Sequence, residues 1–159
     1  MLARLKRTFW AVAAVFGPQS WLARSFRRKT RLLKDELEGE FTDRFVELLL
    51  YAMDLAFILL ASYRRNLRGF RAQYVFRTAD GRVEASALFG GGKMSVRQRA
   101  VPSPNVTVTF KDPAALRRFL LSKDQDILSS ILASDVEVDG NVNYVYKFGF
   151  MARELIGRL

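Results

Sequence analysis

The residues that most enzymes use for acid–base and nucleophilic chemistry are missing from this chain of 159 residues, which contains no histidine and no cysteine. Their absence excludes disulfides, cysteine-bound zinc, thiol nucleophiles and any catalytic triad built around histidine. Carboxylates, lysines, tyrosines and hydroxyls remain, and no convergent pair of carboxylates is recognisable among them. We therefore expect a binding protein without catalytic residues or a metal site, and not an enzyme.

Two short motifs are similar to ligand-binding loops but lack residues that such loops need. The run Gly90-Gly91-Gly92 precedes a strand-like segment and is not followed by Lys-Ser or Lys-Thr, so it predicts a hairpin turn and not a phosphate-binding loop. Asp135, Glu137 and Asp139 alternate along another strand-like segment without the other positions of a calcium loop. These three acids predict a solvated strand face.

The positive charge of the chain is concentrated near its N-terminal end. The net charge is +10, and nine of the 26 basic residues lie in residues 1–34, which contain no acid. Both tryptophans lie there too, among basic residues, and this mixture is typical of a helical arm that lies on an anionic membrane. The residues predicted to bind a membrane or a partner are Arg4, Lys6, Arg7, Phe9, Trp10, Trp21, Arg24, Phe26, Arg27 and Arg28.

Other interpretations of the arm stay open. The apolar segment 9–16 would also pack into a partner protein. Basic residues attract nucleic acid, although no recognition helix or RNA-binding motif accompanies them. Residues 1–23 are similar to a secretory signal peptide, but Trp21 stands where a small residue is wanted and the apolar segment is short. We expect the arm to be retained and the protein to be cytoplasmic, peripheral at the inner face of the membrane.

Residues 42–63 have the composition of a long helix that is apolar on most sides. Thr42 is placed to cap it, and the run from Leu48 to Ala61 contains one charge, that of Asp54. This run of 14 residues is shorter than the roughly 20 needed to cross a bilayer. We expect the helix to be buried by protein or to line an apolar cavity, with a membrane-embedded helix as the alternative.

The residues that follow alternate between apolar and polar and then change to a helical period. Four alternating segments between residues 72 and 110, with turns at Asp80-Gly81 and at 90–92, predict an antiparallel sheet covered on one face. Asp112-Pro113 predicts the start of a helix. A second short helix from Asp126, a fifth strand at 136–138 and a closing helix complete the expected order.

This order of elements, together with three segments near the C terminus, resembles the sterol carrier protein type-two domain family. The segments are the strand and helix NVTVTFKDPAALRRFLL, the stretch ILASDVEVDGNVNY and the last helix KFGFMARELIG. The likeness covers about residues 70–159, and the helix at 42–63 corresponds to the leading helix of that family. Some bacterial relatives of the family are accessory proteins of lipid and quinone biosynthesis.

The resemblance implies an α+β fold with a five-stranded, mostly antiparallel sheet covered on one face by helices, and an apolar tunnel between the layers. It does not distinguish a sterol from a fatty acyl chain or a polyprenyl quinone. Asp54 is either a partner for a lipid hydroxyl or head group, or a solvated charge. Ordinary core packing is the alternative for the residues expected to line the tunnel, which are Leu49, Met53, Phe57, Phe119, Ile131, Phe148 and Met151.

The sequence thus predicts a basic amphipathic helical arm over residues 1–41 and a sterol-carrier-type lipid-binding domain over residues 42–159. The expected function is non-catalytic binding and transfer of a long apolar lipid, at a membrane surface or for a membrane-linked enzyme. No cofactor is expected other than a bound lipid or quinone. The alternative is a small accessory subunit that anchors a larger assembly, and a third hypothesis is a non-specific nucleic-acid binder.

Overall fold

The computed structural model of the protein describes residues 21–38, 44–121 and 127–159, and their helices and strands follow the predicted order. The helices before the sheet are α1 (Trp21–Glu38), α2 (Phe45–Leu59) and α3 (Ala61–Arg64), which continues into a 3-10 turn (Arg65–Leu67). The first four strands are β1 (Ala72–Thr78), β2 (Glu84–Gly90), β3 (Lys93–Arg97) and β4 (Val106–Phe110). The remaining elements are α4 (Pro113–Leu121), α5 (Ile127–Leu132), β5 (Val136–Gly140) and α6 (Val142–Ile156).

The five strands form one mostly antiparallel sheet, as predicted, in the spatial order β3-β2-β1-β4-β5. The exception is the pair β1 and β4, which run parallel with Tyr74 beside Val106 and Thr78 beside Phe110. A parallel pair cannot be joined by a tight turn. The chain between β3 and β4 therefore crosses β2 and β1 before β4 can pair.

The crossing segment, residues 98–105, covers part of the sheet face that carries no helices. The Ser86 hydroxyl on β2 donates to the carbonyl of Arg99 at 2.6 Å, and the backbone N–H of Ala100 donates to Glu84 at 2.9 Å. Val75 and Ser86, which are neighbours on this face, are buried. The helices cover the other face, where α2 lies over β2 and β3, and α6 lies over β4.

The helix predicted over 42–63 ends earlier in the structure, so its predicted C-terminal end is wrong. Leu60 is extended (φ −110°, ψ 101°), and α2 stops at Leu59. A local cap stabilises this end: the Arg64 guanidinium reaches back and donates through Nε to the Phe57 carbonyl at 2.7 Å, and through Nη2 to the Ile58 carbonyl. The predicted cap Thr42 lies outside the described residues.

No single described helix is long and apolar enough to span a bilayer. The helix α2 and the following helical segment Ala61–Leu67 reach that length and composition only as a pair, and this pair is bent by 103°.

Helix α1 packs against α2 and contributes to the common hydrophobic cluster of the protein. Phe26 and Leu33 belong to that cluster. The two helices run antiparallel, because Lys29 lies over the Tyr51 ring at 5.0 Å while Glu36, further along α1, shares a cleft with Arg44 at the start of α2.

Candidate functional site

The residues predicted from α2 and α6 to line an apolar cavity lie together between the sheet and the helices. Leu49, Met53 and Phe57 recur at four-residue spacing on α2, and Phe148 and Met151 share a face of α6. All five are at most 3% exposed and belong to one hydrophobic cluster.

The other two predicted residues lie at the edge of the same cluster. Phe119 on α4 is buried, with its ring centroid 6.0 Å from that of Phe110 on β4. Ile131 on α5 is half-buried and packs against the cluster. The fold therefore brings all seven together. A packed core without a ligand site would bury these residues equally well. A binding site is therefore indicated only where a cleft reaches the cluster from the surface.

Aromatic rings reach from the cluster towards the C-terminal end of α2. Phe57 stacks on Tyr63 with a centroid distance of 4.4 Å and makes an edge contact with Phe89 on β2 at 6.2 Å. The Tyr63 hydroxyl donates to the Met151 carbonyl at 2.8 Å. Phe57 is therefore supported by the sheet and, through Tyr63, by the last helix.

A cleft of about 490 Å³ opens onto the cluster at this place, between α2 and the turn joining β2 to β3. Its volume lies in the range of about 300–1,000 Å³ that is usual for small-molecule sites. Two buried members of the cluster, Phe57 and Met94, line it. Ile58, 45% exposed, also lines the cleft and adds apolar surface at its edge. The cleft thus has an apolar floor that is continuous with the core.

The charged residues of the cleft differ in how they are engaged. Asp54 is half-buried, and burial raises the pKa of its carboxyl group. No hydrogen bond or ion pair joins that carboxyl group to the other described residues. Arg64 is held by the carbonyls of Phe57 and Ile58. Lys93 is exposed beside the turn. Among the described residues, the cleft therefore offers a carboxylate without a polar partner, close to an apolar floor.

A second cleft, of about 390 Å³, lies between α1 and α2. Charged side chains dominate its lining, with Lys29, Asp35 and Glu36 on one side and Arg44 and Glu47 on the other. Burying these charges beneath an apolar ligand would be costly. This cleft is therefore less suited to an apolar ligand than the cleft beside β3.

The residues predicted to bind a membrane or partner are described only from Trp21 onward. Trp21 is 67% exposed, Arg24 and Arg28 are exposed, and Arg27 is half-buried. Phe26 is only 4% exposed because it packs in the core. The other predicted residues, Arg4, Lys6, Arg7, Phe9 and Trp10, lie outside the described residues.

Sequence reasoning identified Phe57 and noticed Asp54, but it did not find Met94, Arg64 or Lys93 as residues of the site. No sequence signal joins residues 54–64 to residues 92–94, because they meet only through tertiary packing. Within residues 21–38, 44–121 and 127–159, no group of three or more acidic side chains is arranged to hold a metal ion.

No family model matches the sequence, and no curated protein is detectably similar to it. Solved structures do share its fold. One, named "UbiJ-SCP2 Ubiquinone synthesis protein", is 17% identical with a TM-score of 0.50, over 70% of this chain and 98% of that one. The sterol carrier protein domain 2 of Helicoverpa armigera is also 17% identical with a TM-score of 0.50, over 74% of this chain and 91% of that one. The described part of this chain therefore has the sterol carrier protein fold, as the resemblance in its sequence predicted.

Proposed function

We propose that the protein binds a long apolar lipid through the cleft beside β3 and presents or transfers it at a membrane surface, without covalent chemistry. The observation that carries the proposal is the continuity of the cleft with the core. Phe57 and Met94 line the cleft and belong to the cluster that contains six of the seven predicted lining residues, and the seventh, Ile131, packs against it. Methionine is unbranched and adapts its shape readily, so Met94 is suited to make room for a chain.

The names of the two similar structures support the same class of ligand. One is named for ubiquinone synthesis and the other for sterol carriage, and both quinone and sterol are largely apolar molecules. Burial of one methylene contributes about 0.8 kcal/mol. Ten buried methylenes would contribute roughly 8 kcal/mol to the binding free energy. The entropy lost on binding opposes this contribution.

The test is binding of a neutral apolar fluorophore, N-phenyl-1-naphthylamine, to the purified full chain, followed by its displacement with lipids. Met94→Trp would fill the cleft, and we expect it to weaken binding at least tenfold. Ser95→Trp is the matched control, because Ser95 is the next residue of β3 and points to the opposite face of the sheet. Native mass spectrometry of the untreated protein should reveal a co-purified lipid. Failure of the full chain to bind fluorophore or lipid would refute the proposal.

The exposed side of α1 supports a membrane surface as the place of action. Arg24, Arg28 and Arg31 are exposed, together with Trp21. Each basic residue near an anionic leaflet contributes about 1 kcal/mol. The antiparallel register of α1 and α2, extended from the contact of Lys29 with Tyr51, places the beginning of α1 towards the cleft end of α2. A bilayer that contacts the beginning of α1 would then lie near the cleft.

Membrane binding is best tested with substitutions, because deletion of the arm would also remove Phe26 and Leu33 from the core. We expect Arg24→Gln/Arg28→Gln to bind less to vesicles of phosphatidylcholine with phosphatidylglycerol, while fluorophore binding stays unchanged. Arg97→Gln/Arg99→Gln makes the same charge change at exposed positions of β3 and the crossing segment. Equal losses in both double variants would show that net charge, and not the α1 surface, determines vesicle binding.

The accessory-subunit alternative makes a different prediction for the same variants. If α1 docks on a protein, the full chain should not bind the vesicles of phosphatidylcholine with phosphatidylglycerol. The α1 variant should then lose a protein partner that the control variant retains. Non-specific nucleic-acid binding would instead appear as affinity for DNA or RNA that falls steeply with salt.

A further inference from the structure

We propose that the lipid bound at this site carries a hydroxyl or phenol head group, and that the Asp54 carboxylate accepts the hydrogen bond of that group. This inference rests on the proposed lipid binding and deepens it by naming the class of ligand. It excludes free fatty acids as the preferred ligand.

The first step of the argument is the placement of Asp54 relative to the apolar floor. Asp54, Phe57 and Ile58 are spaced by three and four residues on α2, so they share one face of the helix. All three line the cleft, with Met94 across from them on β3. A chain lying against Phe57 and Met94 would carry its polar end to within about one helical turn, roughly 5–6 Å, of the carboxylate.

The second step is the unmet hydrogen-bonding capacity of that carboxylate. A partly buried carboxylate has lost part of its hydration, and burial accordingly raises the pKa of Asp54. No described residue compensates for this loss. Glu47, the other acid of α2, accepts a hydrogen bond from Gln98 at 3.1 Å. Asp54 therefore differs from Glu47 in having no hydrogen-bond donor among the described residues. A ligand hydroxyl would form a strong charge-assisted bond with it.

The third step concerns the cations of the cleft, which would decide whether a carboxylate ligand is tolerated. Arg64 donates Nε and Nη2 to the carbonyls that end α2, which ties its guanidinium to the helix end and leaves only Nη1 for a ligand. Lys93 is exposed, and its charge is screened by solvent. A fatty acid would bring a second negative charge close to Asp54, and like charges repel most strongly where water is partly excluded.

The experiment compares three ligands that have the same alkyl chain length and differ in head group: 1-dodecanol, dodecanoic acid and methyl dodecanoate. Each displaces N-phenyl-1-naphthylamine from the full chain at pH 8. We expect the wild-type chain to prefer the alcohol. Asp54→Ala should weaken alcohol binding about tenfold, as expected for loss of a hydrogen bond to a charged group at a partly exposed site. It should strengthen binding of the acid and leave the ester unchanged.

The control variant is Glu47→Gln, which removes the other acid of α2 at a position outside this cleft. It should change none of the three affinities. Opposite changes for alcohol and acid are a result that a merely structural effect of Asp54 would not produce. Asp54→Asn, which keeps the shape and an acceptor oxygen, should relieve the repulsion of the acid and retain part of the alcohol affinity.

Two results would overturn the inference while leaving lipid binding intact. One is a wild-type preference for dodecanoic acid that disappears in Lys93→Met, which would make Lys93, and not Asp54, the residue that selects the ligand. The other is an equal change for all three ligands in Asp54→Ala. A wild-type chain that binds neither fluorophore nor ligand would instead refute the proposed function itself, and the two failures are therefore distinguishable.

Discussion

At the scale of single residues, two buried tyrosine hydroxyls hold the last helix against the rest of the fold. Tyr63 donates to the carbonyl of Met151 at 2.8 Å, and Tyr74 donates to the carbonyl of Tyr144 at 2.9 Å. Burial raises the pKa of both phenols well beyond the ordinary value near 10. For Tyr63, the nearby carboxylate of Glu154 raises the pKa further.

These shifts predict a loss of stability at alkaline pH. The folded state keeps both phenolic protons above pH 10, whereas the unfolded chain releases them near the usual pKa of about 10. The unfolded state then binds fewer protons, so the contribution of both groups is complete below pH 10 and declines as the pH rises above it. Urea unfolding between pH 8 and 11 should show the midpoint falling over the upper part of that range.

Absorbance at 295 nm gives an independent measurement of the same effect. Of the five tyrosines, Tyr63 and Tyr74 should ionise only when the protein unfolds. Tyr63→Phe should lower the free energy of unfolding by about 1 kcal/mol, while the control Tyr146→Phe, at an exposed position, should have little effect. Ionisation of all five tyrosines near pH 10 in the folded protein would contradict the assignment.

At the scale of elements, the junction between β5 and α6 depends on close contact between two backbone segments. Gly140 has a φ of +114°, and a Cβ built on it would lie 2.4 Å from the carbonyl oxygen of Asn105. The next residue, Asn141, caps α6 by accepting a hydrogen bond from the backbone N–H of Asn143 at 2.9 Å. The glycine therefore lets β5 end beside the start of β4 and lets α6 begin immediately.

Gly140→Ala should consequently destabilise the fold by more than the backbone strain alone. A side chain at such a φ costs about 1–3 kcal/mol, and relief of the contact with Asn105 would require the sheet edge to move. Gly81→Ala is the matched control, because Gly81 also has a positive φ of +72° but nothing lies within 4 Å of its added Cβ. Chemical denaturation should show a clearly larger loss for Gly140→Ala, and equal losses would mean that the junction yields easily.

At the scale of the whole molecule, the basic helix α1 is also part of the core. Leu33 is fully buried, whereas its neighbour Leu32 is 40% exposed. Phe26, one of the residues predicted to contact a membrane, lies in the same cluster as α2 and the sheet. The predicted domain boundary at residue 41 therefore separates α1 from the helices and strands against which its side chains pack.

Paired leucine substitutions test whether α1 and the following residues unfold as one unit. Leu33→Ala should lower the free energy of unfolding by about 2–4 kcal/mol, as usual for a buried leucine. Unfolding monitored by circular dichroism should still show a single cooperative transition. Leu32→Ala should change it by less than about 0.5 kcal/mol. Loss of α1 helicity without a shift in the main transition would favour an arm that folds separately from residues 42–159.

The sequence by itself determined the features that depend on neighbouring residues. The hairpin at Asp80-Gly81 is confirmed, and Asp80 accepts hydrogen bonds from Thr78 at 2.6 Å and from the backbone of Arg82 at 3.1 Å. The helix start at Asp112-Pro113 is also confirmed, with Asp112 accepting from the backbone N–H of Ala115 at 2.7 Å. Such turns and caps are encoded locally, because the side chain bonds to backbone within a few residues of itself.

Only the tertiary structure decided which distant segments meet. The alternation of apolar and polar residues along β4 predicts a strand with one buried face, but it does not indicate that this strand pairs with β1. The carbonyls at the end of α2 are capped by the Arg64 side chain, which folds back onto them. The charge pattern of α1 does not indicate which of its sides packs against α2. The cleft exists because Asp54 and Phe57 on a helix come to lie opposite Met94 on a strand. A sequence pattern reports how much surface each segment must bury, whereas the choice of partner depends on packing between segments far apart in the chain.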